Sequence, residues 1–290
     1  MSKVYYGEQG YVELVKHVLE NGVQVTDRTG VGSIAVFDAK VIYEPGDYAM
    51  STIRPAGLKP AFYEMLMFLN GETNTKQLEK RGINFWKGNT SREFLDKRGL
   101  YRLLEGNMGK AYGYQWRMFN DQVDQLKEIY NTLKSDPYSR RMYTTLWNPA
   151  QSHEMALTPC WHSHQFVVLP DKDGSNVLHM KLLNRSLDVV FGFPFAVQQY
   201  RFYQAALAEM FGFKLGEMSC DLTHIHIYNN QIEYAKELVT REFGVPGKLM
   251  FKKPLTTLDD ILTMSFDDID IVGLEVNREP FKTPRPEMAV

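Results

Sequence analysis

Apolar residues recur at helical spacing near the start of the chain. Tyr11, Leu14, Val15, Val18 and Leu19 would share one face, and Gly22 follows as a stop. "TDRTGVGSIAVF" then reads as a turn with two glycines leading into a strand. A second helix fits Lys59–Leu69, with Phe62, Met65, Leu66 and Leu69 on one face and Gly71 as its end. Glu64 falls inside that helix beside its apolar face, an awkward place for a carboxylate. Residues 84–110 are polar and irregular and read as a surface excursion. Val123, Leu126, Ile129 and Leu133 mark a third helix, closed by "SDP".

The texture then changes. "RMYTTLW", "HQFVVL" and "NVLHMKLL" read as strands, the last two joined by the turn-rich "PDKDGSN". "FAVQQYRFYQAALAEMFG" is long, mostly apolar and ends in glycine, as a buried helix would. "GEMSCDLTHIHIY" is strand-like again, and alternation would put Cys220, His224, His226 and Tyr228 on one side. No repeat or linker-like tract interrupts the chain. The pattern predicts one α/β domain over residues 1–290, built on a large sheet.

Composition changes this picture little. The 290 residues are 44% hydrophobic and 23% charged, and the formal charge of −2 argues against coating nucleic acid with a basic surface. The two cysteines cannot make a disulfide framework, which points to a reducing, cytoplasmic setting. No apolar run reaches the ~18 residues that spanning a bilayer requires, so no membrane partner is expected.

The chemistry concentrates in "TPCWHSHQF". His162-x-His164 and His224-x-His226 could each put two imidazoles on one strand face, as some zinc sites do. A third anchored ligand is not evident and the neighbours are aromatic, so packing is the preferred reading and no metal is expected. Cys160 is either a small core hydrophobe or a nucleophile whose thiolate is favoured by nearby positive charge. Arg28 in the glycine turn, the pair Arg140–Arg141 and Arg185 in "NRSLD" are candidates for that charge, and arginines also hold phosphate through two hydrogen bonds. A cysteine hydrolase, which would form an acyl-enzyme, and a chelator-sensitive metalloenzyme are the classes these residues leave open.

Together "DRTGVGS", "GETN", "SREFLD", "YGYQWR", "SRR", "LWNP", "MALTPC", "QF", "RSLDVVFGFPF", "HIY" and the terminal "MAV" resemble thymidylate synthases in order and spacing, over essentially the whole chain. The resemblance implies a mixed α/β sheet with helices on one face and a homodimer interface on the other. It makes Cys160 the nucleophile that adds to C6 of a pyrimidine nucleotide. Glu64 becomes the carboxylate that organises proton transfers, and Tyr112 helps remove the C5 proton. Arg28, Arg140, Arg141, Arg185 and Ser186 become the phosphate set, with Arg140 and Arg141 reaching the partner subunit's site. His226 and Tyr228 would hold the sugar hydroxyl, and Gln165 and position 196 would also face the nucleotide. Trp86, Asn89, Asp188 and Gly192 would contact the co-substrate 5,10-methylenetetrahydrofolate, with the tail through Ala289 closing over it.

Two positions depart from the family pattern. Where it has an asparagine reading the uracil edge, this chain has Ala196, and the residue after the nucleophile is Trp161 instead of a common histidine. An alanine neither donates nor accepts, and an unpaired substrate group costs ~1–3 kcal/mol. The departure suggests a changed base. Deoxycytidylate (dCMP) is the lead substrate and deoxyuridylate (dUMP) the alternative, although deoxycytidylate-directed relatives, known from phages, carry an aspartate there. His162, His164 and Gln198 are candidates to meet a 4-amino group. The Trp86 wall and the closing tail favour methyl over hydroxymethyl as product.

Overall fold

A computed structural model describes residues 3–288. The chain opens with strand β1 (Lys3–Tyr6), helix α1 (Gly7–Asn21) and strands β2 (Val23–Val25) and β3 (Ser33–Tyr43). Helices α2 (Leu58–Leu69), α3 (Lys76–Glu79), α4 (Arg92–Lys97), α5 (Gly113–Met118) and α6 (Gln125–Ser135) follow. Then come β4 (Tyr143–Thr145), β5 (Trp161–Pro170), β6 (Asn176–Asn184), β7 (Leu187–Asp188), α7 (Gly192–Phe211) and β8 (Lys214–Tyr228).

The main sheet runs β1-β3-β8-β6-β5-β4, with β2 pairing β3 and β7 pairing β8. It is mixed, since β1–β3, β6–β8 and β7–β8 are parallel and the other pairs antiparallel. A second, two-stranded sheet joins Lys248–Phe251 to Ile269–Val272.

The helical spacing at the N-terminus becomes α1, which buries Tyr11, Leu14, Val15 and Val18. Each such side chain contributes about 1.5–3 kcal/mol on leaving water. The second expected helix is α2, one residue longer at its start, and Glu64 is buried within it. The third begins at Gln125, capped by the Asp124 side chain, so Val123 lies outside it and is exposed. The long apolar run becomes α7, buried along fifteen of its twenty positions.

Two expectations fail and a third is refined. Residues 84–110 do run mostly along the surface with one short helix, α4, yet Trp86, Asn89, Thr90, Leu95 and Met108 are buried and anchor the segment. Polar residues outnumber apolar ones there, but Trp86, Leu95 and Met108 point inward. The two histidines of "HSH" do not share a face, because the β5–β6 register shifts between Trp161 and Ser163 and leaves His162 as an extra residue. That bulge lets Trp161, His164 and Phe166 all turn toward α7, against Tyr200 and Tyr203. Nor does Cys220 line up with His224. Buried positions of β8 are even-numbered from Gly216 to Leu222, and the alternation breaks at Thr223 and His224, which are exposed. The break lies opposite Asp38, whose φ of +59° kinks β3.

Candidate active site

Cys160 ends the loop before β5 and is partly exposed. Its backbone N–H donates to the Tyr112 hydroxyl at 3.1 Å, and the Arg185 backbone N–H donates to its carbonyl at 3.0 Å. Arg185 Nη2 lies 3.9 Å from Cys160 Sγ. The same edge of the guanidinium is held by the preceding loop, with Nε donating to the Pro159 carbonyl at 2.9 Å and Nη2 to the Thr158 carbonyl at 2.8 Å. Trp147 lies under it, 5.4 Å from ring centre to guanidinium carbon. Burial pushes the Cys160 thiol up, while the charges of Arg185 and Arg28 pull the other way. Charge alone therefore does not set the thiolate, since desolvation is the larger effect.

Tyr112 reaches Cys160 because the chain turns sharply before α5. Its φ is +36°, unusual for a non-glycine residue and of the kind that concentrates at functional sites. Gly113 allows the turn, since a Cβ there would sit 2.8 Å from the Glu72 carbonyl. The phenol stacks on Phe68 at 4.8 Å, with Trp86 edge-on at 5.8 Å. Burial raises its pKa well above the phenol range, so it stays protonated.

Glu64 forms the next layer. The Trp86 indole N–H donates to one carboxylate oxygen and the Gln199 amide to the other. Burial nevertheless pushes the carboxyl up to about 7, because the two hydrogen bonds only partly offset desolvation. A carboxyl poised there can give or take a proton near neutrality.

On the opposite side Asp188 accepts the backbone N–H groups of Val190 and Phe191 at 3.0 and 3.1 Å, and the Gln231 amide at 2.9 Å. His226 pairs with Asp188 across β7–β8 and stacks edge-on against Tyr228 at 4.8 Å. Burial holds His226 below the usual imidazole range, and burial pushes Tyr228 up to about 12. His226 and Tyr228 share a side, as their spacing on β8 predicts, and Asp188 joins them from β7 to form one polar wall. Ser186 lies between Arg185 and β7, and Gly192 opens α7 above Asp188, with 3.5 Å between an added Cβ and the Asp188 Cβ.

The remaining candidates are less converged. Arg28 is exposed in its turn, yet its charge bears on Cys160. Arg140 and Arg141 stand exposed before the edge strand β4. Gln165 lies with Arg140, donating weakly to its carbonyl at 3.5 Å, on the face of β5 turned away from α7. Asn89 is buried close to Trp86 in sequence. Ala289 lies outside the described residues. Of the groups considered for a 4-amino contact, Gln198 already donates to the Ala56 carbonyl at 3.3 Å. His164 is fully buried among Trp116, Phe166, Tyr200 and Tyr203, and His162 hydrogen-bonds Ser163 Oγ at 2.9 Å.

Gln199, Thr158 and Trp147 are functional neighbours that sequence reasoning missed. Gln199 left a signal, since two consecutive glutamines inside an apolar helix need buried partners. Among the described residues no three His, Cys, Asp or Glu side chains gather to hold a metal ion, and no helix is long and apolar enough to cross a membrane.

A family model described as thymidylate synthase matches residues 9–284. The chain is 34% identical to the thymidylate synthase of Homo sapiens over 98% of its own length and 91% of that protein. It is 32% identical to the thymidylate synthase of Saccharomyces cerevisiae, over 90% of this chain and 92% of that one. A probable thymidylate synthase of Schizosaccharomyces pombe is 35% identical over 92% of this chain, which spans only 45% of that longer protein. The bifunctional dihydrofolate reductase-thymidylate synthase of Leishmania amazonensis is 34% identical over 98% of this chain and is likewise longer, with 55% of it covered.

Proposed function

The chain belongs to the thymidylate synthase family, whose members transfer one carbon from methylenetetrahydrofolate to a pyrimidine nucleotide, and from that premise we propose that it methylates C5 of dUMP. The observation that carries the chemistry is the contact between Arg185 and the Cys160 sulfur, backed by Tyr112 and the raised Glu64 carboxyl. Addition of that sulfur at C6 makes C5 electron-rich enough to attack the methylene carbon. Arg185 and Arg28 favour the thiolate and are the charges nearest to take a phosphate. Glu64 moves protons to and from the ring through its buried position, and Tyr112 stands by the sulfur to help remove the C5 proton. His226 and Tyr228 would take the sugar hydroxyl, Trp86 and Asp188 the folate. Exclusion of water along the Trp86–Tyr112 wall favours hydride transfer from the folate, and so a methyl product, over capture by water.

A homodimer fits the exposed face of the sheet. In that reading Arg140 and Arg141, exposed before the edge strand β4, reach a second subunit's phosphate site.

The names of the curated relatives favour dUMP over the dCMP suggested by Ala196. The second reading keeps one specific support, a buried methyl group where hydrogen-bonding to the base would be needed. Incubating the pure protein with methylenetetrahydrofolate and each nucleotide, then weighing the product, tests both. Turnover of dUMP to dTMP is the expected result. Turnover of dCMP alone would move the assignment to cytosine, and turnover of neither would remove the proposal.

A further inference from the structure

Asn184 ends β6 immediately before Arg185. Its side chain is 1% exposed, and among the described residues neither its Oδ1 nor its Nδ2 has a hydrogen-bond partner. A buried carboxamide with both ends unpaired loses the hydrogen bonds that water would have supplied. Such a group is retained where something else arrives to pair with it.

Its direction follows from the pairing of the strands. Asn184 is the cross-strand partner of Trp161, so the two side chains share a face of the sheet. Trp161 packs on Phe193 and Tyr200, with ring centres 6.2 and 6.0 Å apart. Those two residues are seven apart on α7, and Ala196 lies between them on the same helical face. Asn184 thus faces the stretch of α7 that carries Ala196, while its chain neighbour Arg185 contacts the nucleophile Cys160 through both backbone and side chain.

We propose that the Asn184 carboxamide reads the N3–C4 edge of the pyrimidine, supplying from the sheet the polar contact that α7 lacks at Ala196. The inference rests on the nucleotide chemistry proposed above and names the recognition residue within it. A carboxamide offers a donor beside an acceptor, which matches N3–H with a 4-oxo group. After a half-turn it matches N3 with a 4-amino group. Among the described residues no protein group fixes the orientation of Asn184, so this residue accepts either base and leaves discrimination to the rest of the pocket.

The test compares the wild-type chain with Asn184→Asp and Asn184→Leu, using dUMP and dCMP with methylenetetrahydrofolate. An ionised aspartate accepts but does not donate, so the dCMP-to-dUMP ratio of kcat/KM should rise by about tenfold or more in Asn184→Asp. Asn184→Leu should raise KM for both nucleotides by a similar factor. If the wild type forms the Cys160 adduct with 5-fluoro-dUMP but the Asp variant leaves the ratio unchanged, the base is read elsewhere and this inference fails alone. A Leu variant that melts higher and keeps both KM values would mark the amide as merely hydrated, and would also overturn it. If the wild type forms no adduct, the nucleotide chemistry itself is wrong.

Discussion

Trp86 donates its indole N–H to Glu64 inside the wall that backs Cys160, and the same indole stands edge-on to the Tyr112 ring. The carboxylate and the phenol that touches the nucleophile's backbone are therefore joined by one aromatic side chain. Burial dominates the pair, pushing the Glu64 carboxyl up to about 7. Replacing Glu64 by glutamine keeps the shape and removes the proton. We expect kcat to fall by about 10²–10⁴-fold and the ionisation near neutrality to vanish from the pH–rate profile. A variant that retains that limb would assign it to another group.

The same carboxyl makes stability depend on pH. Its folded pKa lies above its unfolded value of 4.5, so the folded state binds the extra proton between those values. The contribution of this carboxyl to stability is therefore greatest below about 4.5 and declines as pH rises toward 7. The slope is at most about 1.4 kcal/mol per pH unit. Relative to the wild type, Glu64→Gln should gain thermal stability as pH rises from about 4.5 toward 7, and parallel curves for the two proteins would contradict the buried-acid account.

Gln199 supplies the second hydrogen bond to Glu64 from α7. The bond lowers the carboxyl pKa against the effect of burial. Gln199→Leu should thus shift the pH–rate limb to higher pH with the nucleotide KM little changed. A lower or unmoved limb would show that the amide does not act through Glu64.

Arg185 holds the loop before Cys160 through the Thr158 and Pro159 carbonyls. Lysine can keep the charge but not the flat, forked geometry. Arg185→Lys should lower stability by about 1–3 kcal/mol, as those carbonyls lose their partners, and should raise the nucleotide KM. Denaturant unfolding and initial-rate kinetics on one preparation separate the two effects. Wild-type stability in the variant would mean that the guanidinium serves the ligand alone.

Much of this was legible in the sequence because the signals were local. The apolar period of α1 and α2 survives into the structure, and so does the oddity of Glu64 inside α2. Family-like motifs located Cys160, Arg185, Asp188, His226 and Tyr228, and the fold gathers them. What failed depended on partners distant in sequence. The bulge at His162 is set by pairing with β6, and the kink near His224 by Asp38 on β3. The buried indole of Trp86 meets a carboxylate twenty-two residues earlier in the chain. The orphan amide of Asn184 emerges only when β5, β6 and α7 are assembled.

His164 offers the opposite pH sign to Glu64. It is wholly buried among four aromatic rings, and neither ring nitrogen has a partner among the described residues. Burial lowers its pKa to about 3, well below the unfolded value of 6.5. Between those values the unfolded chain binds a proton that the folded chain refuses. The contribution of His164 to stability is therefore lost as pH falls from about 6.5 toward 3, at up to about 1.4 kcal/mol per pH unit. His164→Leu removes the titrating group while keeping an apolar side chain of similar size. Relative to the wild type, its melting temperature should rise as pH falls from about 6 to 4, because the opposing Glu64 contribution is common to both proteins. Equal acid sensitivity in the two proteins would mean that His164 finds a partner in solution, and would rule out the imidazole as the source of acid lability.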